Sequence, residues 1–139
     1  MLKDSYRRRA LQPWRRAPRQ VERPRPHPAM RLWAMDVWVR TEPILTDDDG
    51  LRSIMYRAAV SGGVTVLGEE FCTFDNAAVT GVLVLAQSHL SIHTWPEFFL
   101  ANVDLLSYGN VRGDDVMREI ARELDAERVN INCMLRAIP

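Results

Sequence analysis

The sequence has only two cysteines, Cys72 and Cys133, and no long hydrophobic run. Two cysteines in apolar, strand-like segments do not indicate a disulfide framework, and without a nearby histidine they do not indicate a zinc site. No apolar stretch reaches the roughly 18 residues that a membrane-spanning helix requires. The N-terminus also lacks the apolar core of a signal peptide, so we expect a cytoplasmic protein.

The charges are divided unevenly along a chain whose formal net charge is zero. At 139 residues, the chain has room for one domain with one sizeable core. Residues 1–31 hold ten Lys and Arg against two acids, a net charge of +8, and residues 32–139 therefore carry −8. The acidic part would attract a cationic substrate by long-range electrostatic steering.

Residues 1–30 form a basic segment that is rich in arginine and proline. No hydrophobic periodicity is present there, so we predict a disordered or loosely attached arm before a folded domain over 31–139. A basic arm can bind nucleic acid or an anionic membrane. We favour a solvated tail, or a start codon assigned too far upstream with Met30 or Met35 as the true start, because no aromatic-interleaved or folded binding motif accompanies the charge. We therefore expect neither nucleic acid nor a membrane as a partner.

The hydrophobic pattern beyond the arm predicts strands and helices in alternation, joined by short loops. Thr-Asp-Asp-Asp at 46–49 supplies N-cap side chains for a helix, which Gly62-Gly63 ends. The predicted strands are 31–40, 64–67, a short one at 70–74, 79–86, 91–95, 102–107 and 129–138, and the predicted helices are 48–61 and 114–125. This arrangement predicts an α+β fold, a two-layer sandwich with a mainly antiparallel sheet and both helices on one face.

The most informative segment is Gln-Ser-His-Leu-Ser-Ile-His-Thr-Trp-Pro-Glu at residues 87–97. It follows the apolar run 81–86, which has the features of a buried strand. Hydroxyls and imidazoles would then lie at the rim of a sheet. Because such groups are costly to bury unpaired, the cluster indicates chemistry more than packing.

This segment resembles the processing site of the small prokaryotic S-adenosylmethionine decarboxylases, pyruvoyl enzymes that are made as inactive proenzymes. The match is broken only at Gln87, where the family has Glu. It extends upstream to Val-Thr-Gly at 79–81 and downstream to Ala-Asn-Val-Asp-Leu at 101–105. The likeness covers residues 32–139.

The resemblance implies that the chain makes its own cofactor. The Ser88 hydroxyl would attack the carbonyl of Gln87 and convert the amide into an ester, and β-elimination would then cut the chain. The products would be a β chain, 1–87, and an α chain, 88–139, whose N-terminal dehydroalanine hydrolyses to a pyruvoyl group. Its ketone would form a Schiff base with a substrate amine and accept the electrons released as CO₂ leaves, with no metal involved. Because Gln87 contributes its carbonyl, the change from Glu should at most slow cleavage.

Two other residues occupy processing positions of the family. His93 stands where the family has the base that removes the α-proton of Ser88, and an imidazole suits that task. Because it follows Ser88 by five residues, it could return to that serine only if the chain bends near His89 and Leu90. Thr80 replaces a serine that assists the acyl shift, and it keeps the hydroxyl. For His89 itself we expect a structural role.

By the same resemblance, Phe74, Trp95 and Glu97 would line the substrate site. In the family, aromatic rings sandwich the adenine and stabilise the sulfonium by cation–π attraction, and a carboxylate would hold ribose hydroxyls. Without the resemblance, the rings fit an ordinary core and Glu97 fits a solvated loop. The same groups could also hold a guanidinium or an ammonium, so they do not fix the substrate.

Tyr108 marks the largest departure from the family, which has a cysteine there to reprotonate the substrate carbon after decarboxylation. A phenol can donate a proton, but its reference pKa is about 10 against about 8.5 for a thiol, and it is bulkier. Three outcomes stay open: Tyr108 is the acid, the pocket is reshaped for another substrate, or turnover is lost. Neither Cys72 nor Cys133 fits the pattern as a substitute.

Three functions therefore compete. The leading one is a pyruvoyl-dependent carboxy-lyase that acts on S-adenosylmethionine and supplies the aminopropyl donor for spermidine. The second keeps the fold and the pyruvoyl group but decarboxylates arginine or ornithine. The third is a non-catalytic homologue that binds a partner or regulates an active paralogue. The resemblance also implies a homodimer of processed protomers with active sites near the interface.

Overall fold

The computed structural model describes residues 29–137, so the arm predicted over 1–30 lies outside the described residues except for its last two. Within 29–137, no helix combines the length and the apolar character needed to cross a membrane. The elements in chain order are β1 (Met30–Val39), a 3₁₀ helix (Glu42–Leu45), α1 (Asp48–Ser61), β2 (Val66–Thr73), β3 (Val79–Leu85), β4 (Ser88–Trp95), a second 3₁₀ helix (Pro96–Phe98), β5 (Leu100–Ser107), α2 (Gly113–Glu123) and β6 (Ala126–Arg136).

The strands form one antiparallel sheet in the order β2-β3-β4-β5-β1-β6. Strands β1 and β5 alternate buried and half-buried residues, as expected when one face of a sheet covers the core. Both helices pack against each other and against that face. The largest fully buried side chains of the core include Met35, Leu83, Leu90, Ile92 and Leu105 from the sheet and Leu51, Met55, Met117 and Ile120 from the helices. The predicted two-layer α+β sandwich is confirmed.

Helix α1 begins and ends where the sequence predicts. The Asp47 side chain accepts a hydrogen bond from the Gly50 N–H at 3.0 Å, which satisfies one of the free donors of the first turn. At the other end, the Gly62 N–H donates to the Ala58 carbonyl. A Cβ at Gly62 would collide with the Val116 side chain of α2, so this glycine lets the two helices approach closely.

Three strands differ most from the prediction. β2 is one strand rather than two pieces, because at the edge of the sheet Glu69 and Glu70 keep their side chains in solvent. β6 begins at Ala126, earlier than predicted, since it continues to pair with β1. β4 begins at Ser88, directly after a two-residue turn, where the sequence predicted a strand only from Ser91.

The face of the sheet opposite the helices carries the polar residues of β4, and we call it the helix-free face. Its side chains form rows across the strands, because residues that face each other in the register point the same way. One row is polar and consists of Thr80, His93, Asn102, Asp36 and Asn130. A mainly apolar row, nearer the β3–β4 turn, consists of Val84, His89, Leu106, Leu32 and Met134. The histidines thus lie along a strand, rather than at the rim of the sheet as predicted.

Candidate active site

Ser88 is the first residue of β4, and its backbone is strained. It pairs with Leu85 across a two-residue turn made by Ala86 and Gln87. Two-residue turns between antiparallel strands usually need a positive φ inside the turn. Here the positive φ falls on Ser88 instead, at 140°, an angle that residues other than glycine rarely adopt. Such a conformation costs about 1–3 kcal/mol, and it is located beside the peptide bond predicted to be cut.

Hydrogen bonds fix this turn to the loop that precedes β2. The Ala86 N–H donates to the Thr65 carbonyl at 2.9 Å, and the Thr65 N–H donates to Oε1 of Gln87 at 3.4 Å. A glutamate would offer the same kind of acceptor, so Gln87 in place of the family's Glu preserves this contact. The residue before the predicted cleavage point is therefore held through both its neighbour and its own side chain.

The Ser88 hydroxyl contacts the imidazole of the next residue. Ser88 Oγ lies 3.3 Å from Nδ1 of His89. His89 is half-buried on the helix-free face, where its neighbours in the register are Val84 and Leu106. The sequence predicted only a structural role for His89, but the contact places a ring nitrogen at the predicted nucleophile.

A second polar pair lies at the other end of the β3–β4 hairpin. Thr80 Oγ1 and His93 Nδ1 are 3.0 Å apart, on residues that face each other across the two strands. They line a cavity of about 310 Å³ whose walls include Phe74 and Trp95. These two side chains are 52% and 45% exposed, which excludes the interpretation of both rings as ordinary core. The cavity therefore joins two proton-handling groups to two accessible aromatic side chains.

The Thr80–His93 pair is far from Ser88 within one chain. Strand β4 runs without interruption from Ser88 to Trp95, so the bend near His89 and Leu90 that would return His93 to Ser88 is absent. The five residues from Ser88 to His93, at about 3.3 Å each, separate them by roughly 16 Å. An extended strand cannot fold back on itself, so His93 does not reach the Ser88 of its own chain.

Trp95 is held by a chain of hydrogen bonds across the helix-free face. Its indole Nε1–H donates to Oδ1 of Asn102 at 2.7 Å, and Nδ2 of Asn102 donates to Oδ1 of Asp36 at 2.7 Å. Neither Asn102 nor Asp36 was predicted from the sequence as a site residue. The alternation of side chains along a strand could have indicated both residues. Asn102 alternates with the buried Val103, and Asp36 interrupts the apolar run of β1.

Glu97 and Tyr108 lie at opposite ends of β5. Glu97 is exposed in the 3₁₀ helix after β4 and lines a cavity of about 630 Å³. Asn76 lines both this cavity and the one at Thr80, so the two cavities are neighbours. Tyr108 is 37% exposed and follows β5 at the end of the sheet that holds Ser88, which excludes an ordinary core role for its ring.

The sequence of this chain matches a known family over nearly all of the described residues. Residues 31–137 match the family described as S-adenosylmethionine decarboxylase. The chain belongs to the S-adenosylmethionine decarboxylase family. This confirms the resemblance recognised in the segment 87–97.

Individual members of the S-adenosylmethionine decarboxylase family agree with this assignment. The S-adenosylmethionine decarboxylase proenzyme of Symbiobacterium thermophilum is 51% identical over 65 residues, which are 47% of this chain and 49% of that protein. The corresponding proenzyme of a strain of Methanococcus maripaludis is 32% identical over 105 residues, 75% of this chain and 86% of that protein. The crystal structure of the adenosylmethionine decarboxylase from Aquifex aeolicus has a TM-score of 0.73 and 26% sequence identity, covering 81% of this chain and 94% of that chain.

The clear pKa shifts in this S-adenosylmethionine decarboxylase family member belong to ion pairs on the helix side. Hydrogen bonds to Glu69 and, second, to Asp48 raise the pKa of Arg52. A hydrogen bond from Arg122 lowers the pKa of Glu119, and the pKa of Arg122 is raised in return. Arg52 lies on α1, and Glu119 and Arg122 lie on α2. These pairs support the helices and not the candidate site.

The described residues offer no cluster for a metal ion. Among residues 29–137, no three His, Cys, Asp or Glu side chains converge as a ligand set. Cys72 and Cys133 are exposed on β2 and β6, the two edges of the sheet. The two thiols therefore do not form a shared site.

Proposed function

We propose that this chain is a proenzyme that cleaves itself before Ser88 and then decarboxylates S-adenosylmethionine to supply the aminopropyl donor for spermidine. The observation that carries the proposal is the strained backbone of Ser88, with φ at 140°, inside the segment that the chain shares with its family. The relatives described above are themselves named proenzymes.

The strain supports cleavage because it raises the free energy of the uncut chain and is released when the chain is cut. The Ser88 hydroxyl attacks the Gln87 carbonyl, an ester forms, and the amide bond breaks. Loss of the α-proton of Ser88 then expels the Gln87 carboxylate. A pyruvoyl group at residue 88 would supply the electron sink for loss of CO₂. The half-buried position of Ser88 and the exposed Tyr108 at the same end of the sheet fit such a group, because a substrate amine can approach there.

Intact mass after purification tests the self-cleavage. We expect two fragments, 1–87 and 88–139, with a pyruvoyl group at the start of the second. Ser88→Ala should remain whole. A single full-length wild-type species that is stable for days would contradict the proposal and favour a non-catalytic homologue.

We infer that two copies of the chain share each active site. Ser88 and Tyr108 lie at one end of the β3–β4 hairpin, whereas Thr80 and His93 lie roughly 16 Å away along the strand. Both groups are needed if the family's chemistry operates. A homodimer that apposes the helix-free faces would bring the partner's His93 to Ser88. It would also cover the apolar side chains of that face, among them Val84, which is 50% exposed.

Complementation between two inactive variants tests this shared site. Ser88→Ala cannot be cut, and His93→Ala lacks the elimination base, so neither variant alone should yield a pyruvoyl fragment. When the two are co-expressed, mixed dimers pair an intact Ser88 with the partner's intact His93, and a fraction of the His93→Ala chains should be cut. Absence of any cut chain in a confirmed mixed dimer would contradict the shared site.

The proposed substrate pocket is formed by Phe74, Trp95 and Glu97. The accessible aromatic faces suit the adenine and the sulfonium of S-adenosylmethionine, because a cation over an aromatic ring is attracted by its quadrupole. The exposed Glu97 carboxylate suits ribose hydroxyls. Phe74→Ala and Trp95→Ala should raise KM for S-adenosylmethionine and leave self-cleavage intact.

Arginine or ornithine is the alternative substrate, and Tyr108 is the observation that favours it. The ring lies at the Ser88 end of the sheet, where the family has a smaller thiol, so it would narrow the space beside the reacting group. Measuring the release of ¹⁴CO₂ from carboxyl-labelled S-adenosylmethionine, arginine and ornithine distinguishes the two substrate assignments. Release from arginine or ornithine alone would overturn the S-adenosylmethionine assignment.

The role of Tyr108 as proton donor can be tested separately from cleavage. If its phenol is the acid, Tyr108→Phe should form the pyruvoyl fragment normally and lose most of its turnover, and Tyr108→Cys should retain turnover. If Tyr108 only shapes the pocket, Tyr108→Phe should turn over at the wild-type rate.

A further inference from the structure

We propose that His89 is the general base for the first step of self-cleavage, the attack of the Ser88 hydroxyl on the Gln87 carbonyl. This role rests on the proposed function, because it concerns the step that starts formation of the pyruvoyl group. It is distinct from the role of His93, which concerns the later elimination.

The geometry around the hydroxyl carries the proposal. Ser88 Oγ lies 3.3 Å from Nδ1 of His89, and within residues 29–137 this is the hydrogen bond that the hydroxyl makes. The other histidine of the segment, His93, is bonded to Thr80 at 3.0 Å, at the far end of the hairpin. An unassisted serine hydroxyl is a weak nucleophile, and an adjacent base activates it. His89 is therefore the ring in the chain's own structure that can accept the hydroxyl proton.

The strained backbone explains why adjacent residues can make this contact. Neighbouring side chains in a regular strand point to opposite faces. Because the φ of Ser88 is 140°, its side chain departs from that alternation, and its hydroxyl meets the ring of the following residue on the helix-free face. The backbone distortion that strains the chain beside the scissile peptide bond thus also brings the His89 ring to the Ser88 hydroxyl.

The step balances without any other reactant. The step uses the tautomer that carries its proton on Nε2, which leaves Nδ1 free to accept the proton of Ser88 Oγ. The Oγ–C bond to Gln87 forms as that proton leaves. The C–N bond of the amide then breaks, and the ring returns the proton to the departing Ser88 nitrogen. The product is an ester with a free amine on Ser88, and His89 ends in its starting state.

Hydroxylamine distinguishes this step from the elimination, because it cleaves esters and leaves amides intact. His93→Ala should form the ester and stop, so hydroxylamine should cut it into 1–87 and a fragment that begins with unmodified Ser88. His89→Asn should stay an amide that hydroxylamine does not cut. Asn keeps a polar atom near the position of Nδ1 but is not a base, so we expect cleavage about 100-fold slower or worse.

Matched variants separate catalysis from folding. Tyr56 is exposed on α1, in the helix layer and outside the helix-free face, so Tyr56→Ala removes a large side chain without touching the reacting atoms or the proposed interface and should be cut at the wild-type rate. His89→Ala should behave like His89→Asn, and His89→Asn decides the result if the alanine variant does not fold. Circular dichroism and the melting temperature report the fold of each variant.

The outcomes are separable. A wild-type chain that is cut, together with a folded His89→Asn that remains hydroxylamine-resistant, supports the role. A folded His89→Asn that is cut at the wild-type rate, or that accumulates the ester, overturns it and leaves the proposed function standing. A wild-type chain that is never cut overturns the proposed function and this role with it.

Discussion

The two ends of the β3–β4 hairpin hold their polar groups in different ways. At the turn, Ser88 has a strained backbone, and its hydroxyl meets the ring of the adjacent His89. At the other end, Thr80 and His93 are bonded across two regular strands at 3.0 Å, without a positive φ at either residue. The turn therefore combines backbone strain with its polar contact, whereas the far end holds its polar pair on regular, unstrained strands.

The largest expected effect is at the strained end. Ser88→Ala and Ser88→Gly should both abolish self-cleavage, because the nucleophile is gone. Glycine tolerates φ at 140° and alanine does not, so Ser88→Gly should be the more stable of the two by about 1 kcal/mol or more. Urea or thermal unfolding of the two uncut proteins measures the difference, which should be several degrees in Tm.

Ser91 provides the matched control for the strain. It lies in the same strand without a positive φ. In the uncleavable Ser88→Ala background, Ser91→Gly should be less stable than Ser91→Ala by about 0.5–1 kcal/mol, because glycine in a strand interior is ordinarily destabilising. The same order of stability at both positions would mean that Ser88 is not strained, and the contrast between the two ends would fail.

A smaller effect is expected at the far end, where Thr80 positions His93. Thr80→Val removes the hydroxyl and keeps the shape, so His93 loses the partner that orients its ring. A hydrogen bond of this kind contributes about 0.5–1.5 kcal/mol, which corresponds to cleavage about 3- to 10-fold slower. Thr80→Ser, which restores the family's residue, should be cut at the wild-type rate. Equal slowing in both variants would show that the hydroxyl does not orient the ring.

The hydrogen-bond chain behind Trp95 should affect substrate binding and not cleavage. Asn102→Leu removes the acceptor for the indole and the donor to Asp36, so Trp95 loses its fixed orientation. We expect KM to rise about 3- to 10-fold with kcat nearly unchanged. This change in KM corresponds to the free energy of one neutral hydrogen bond. Asn132→Leu, on the helix-free face of β6, is the control and should leave KM unchanged. A fall in kcat alone would place this chain of bonds in a different role.

The sequence predicts the fold well because the pattern of β1, α1, β5 and α2 reflects burial directly. The chemistry of the turn could be predicted only through the resemblance of segment 87–97 to a known family. The residue types around Ser88 do not by themselves indicate its positive φ. The missing bend at His89 and Leu90 arises from long-range pairing with β3, which fixes β4 as an extended strand. The relation of Asp36 to Asn102 also depends on register, because the two residues are 66 positions apart and meet only across the sheet.

The smallest expected effect lies on the helix side, which takes no part in either end of the hairpin. Two hydrogen bonds from Arg122 lower the pKa of Glu119 below its ordinary value of 4.5. Because the folded pKa is lowered, the unfolded chain binds more protons near that pH. The contribution to stability is therefore present above pH 4.5 and is lost as the pH falls through the lowered folded pKa.

The Tm of the parent chain minus that of Glu119→Gln should be slightly positive at pH 7 and should shrink toward zero in acid. High salt should reduce it as well, since the pair is exposed. Self-cleavage should be the same in both chains at every pH where both are folded, and a difference in cleavage would mean that the helix layer influences the turn.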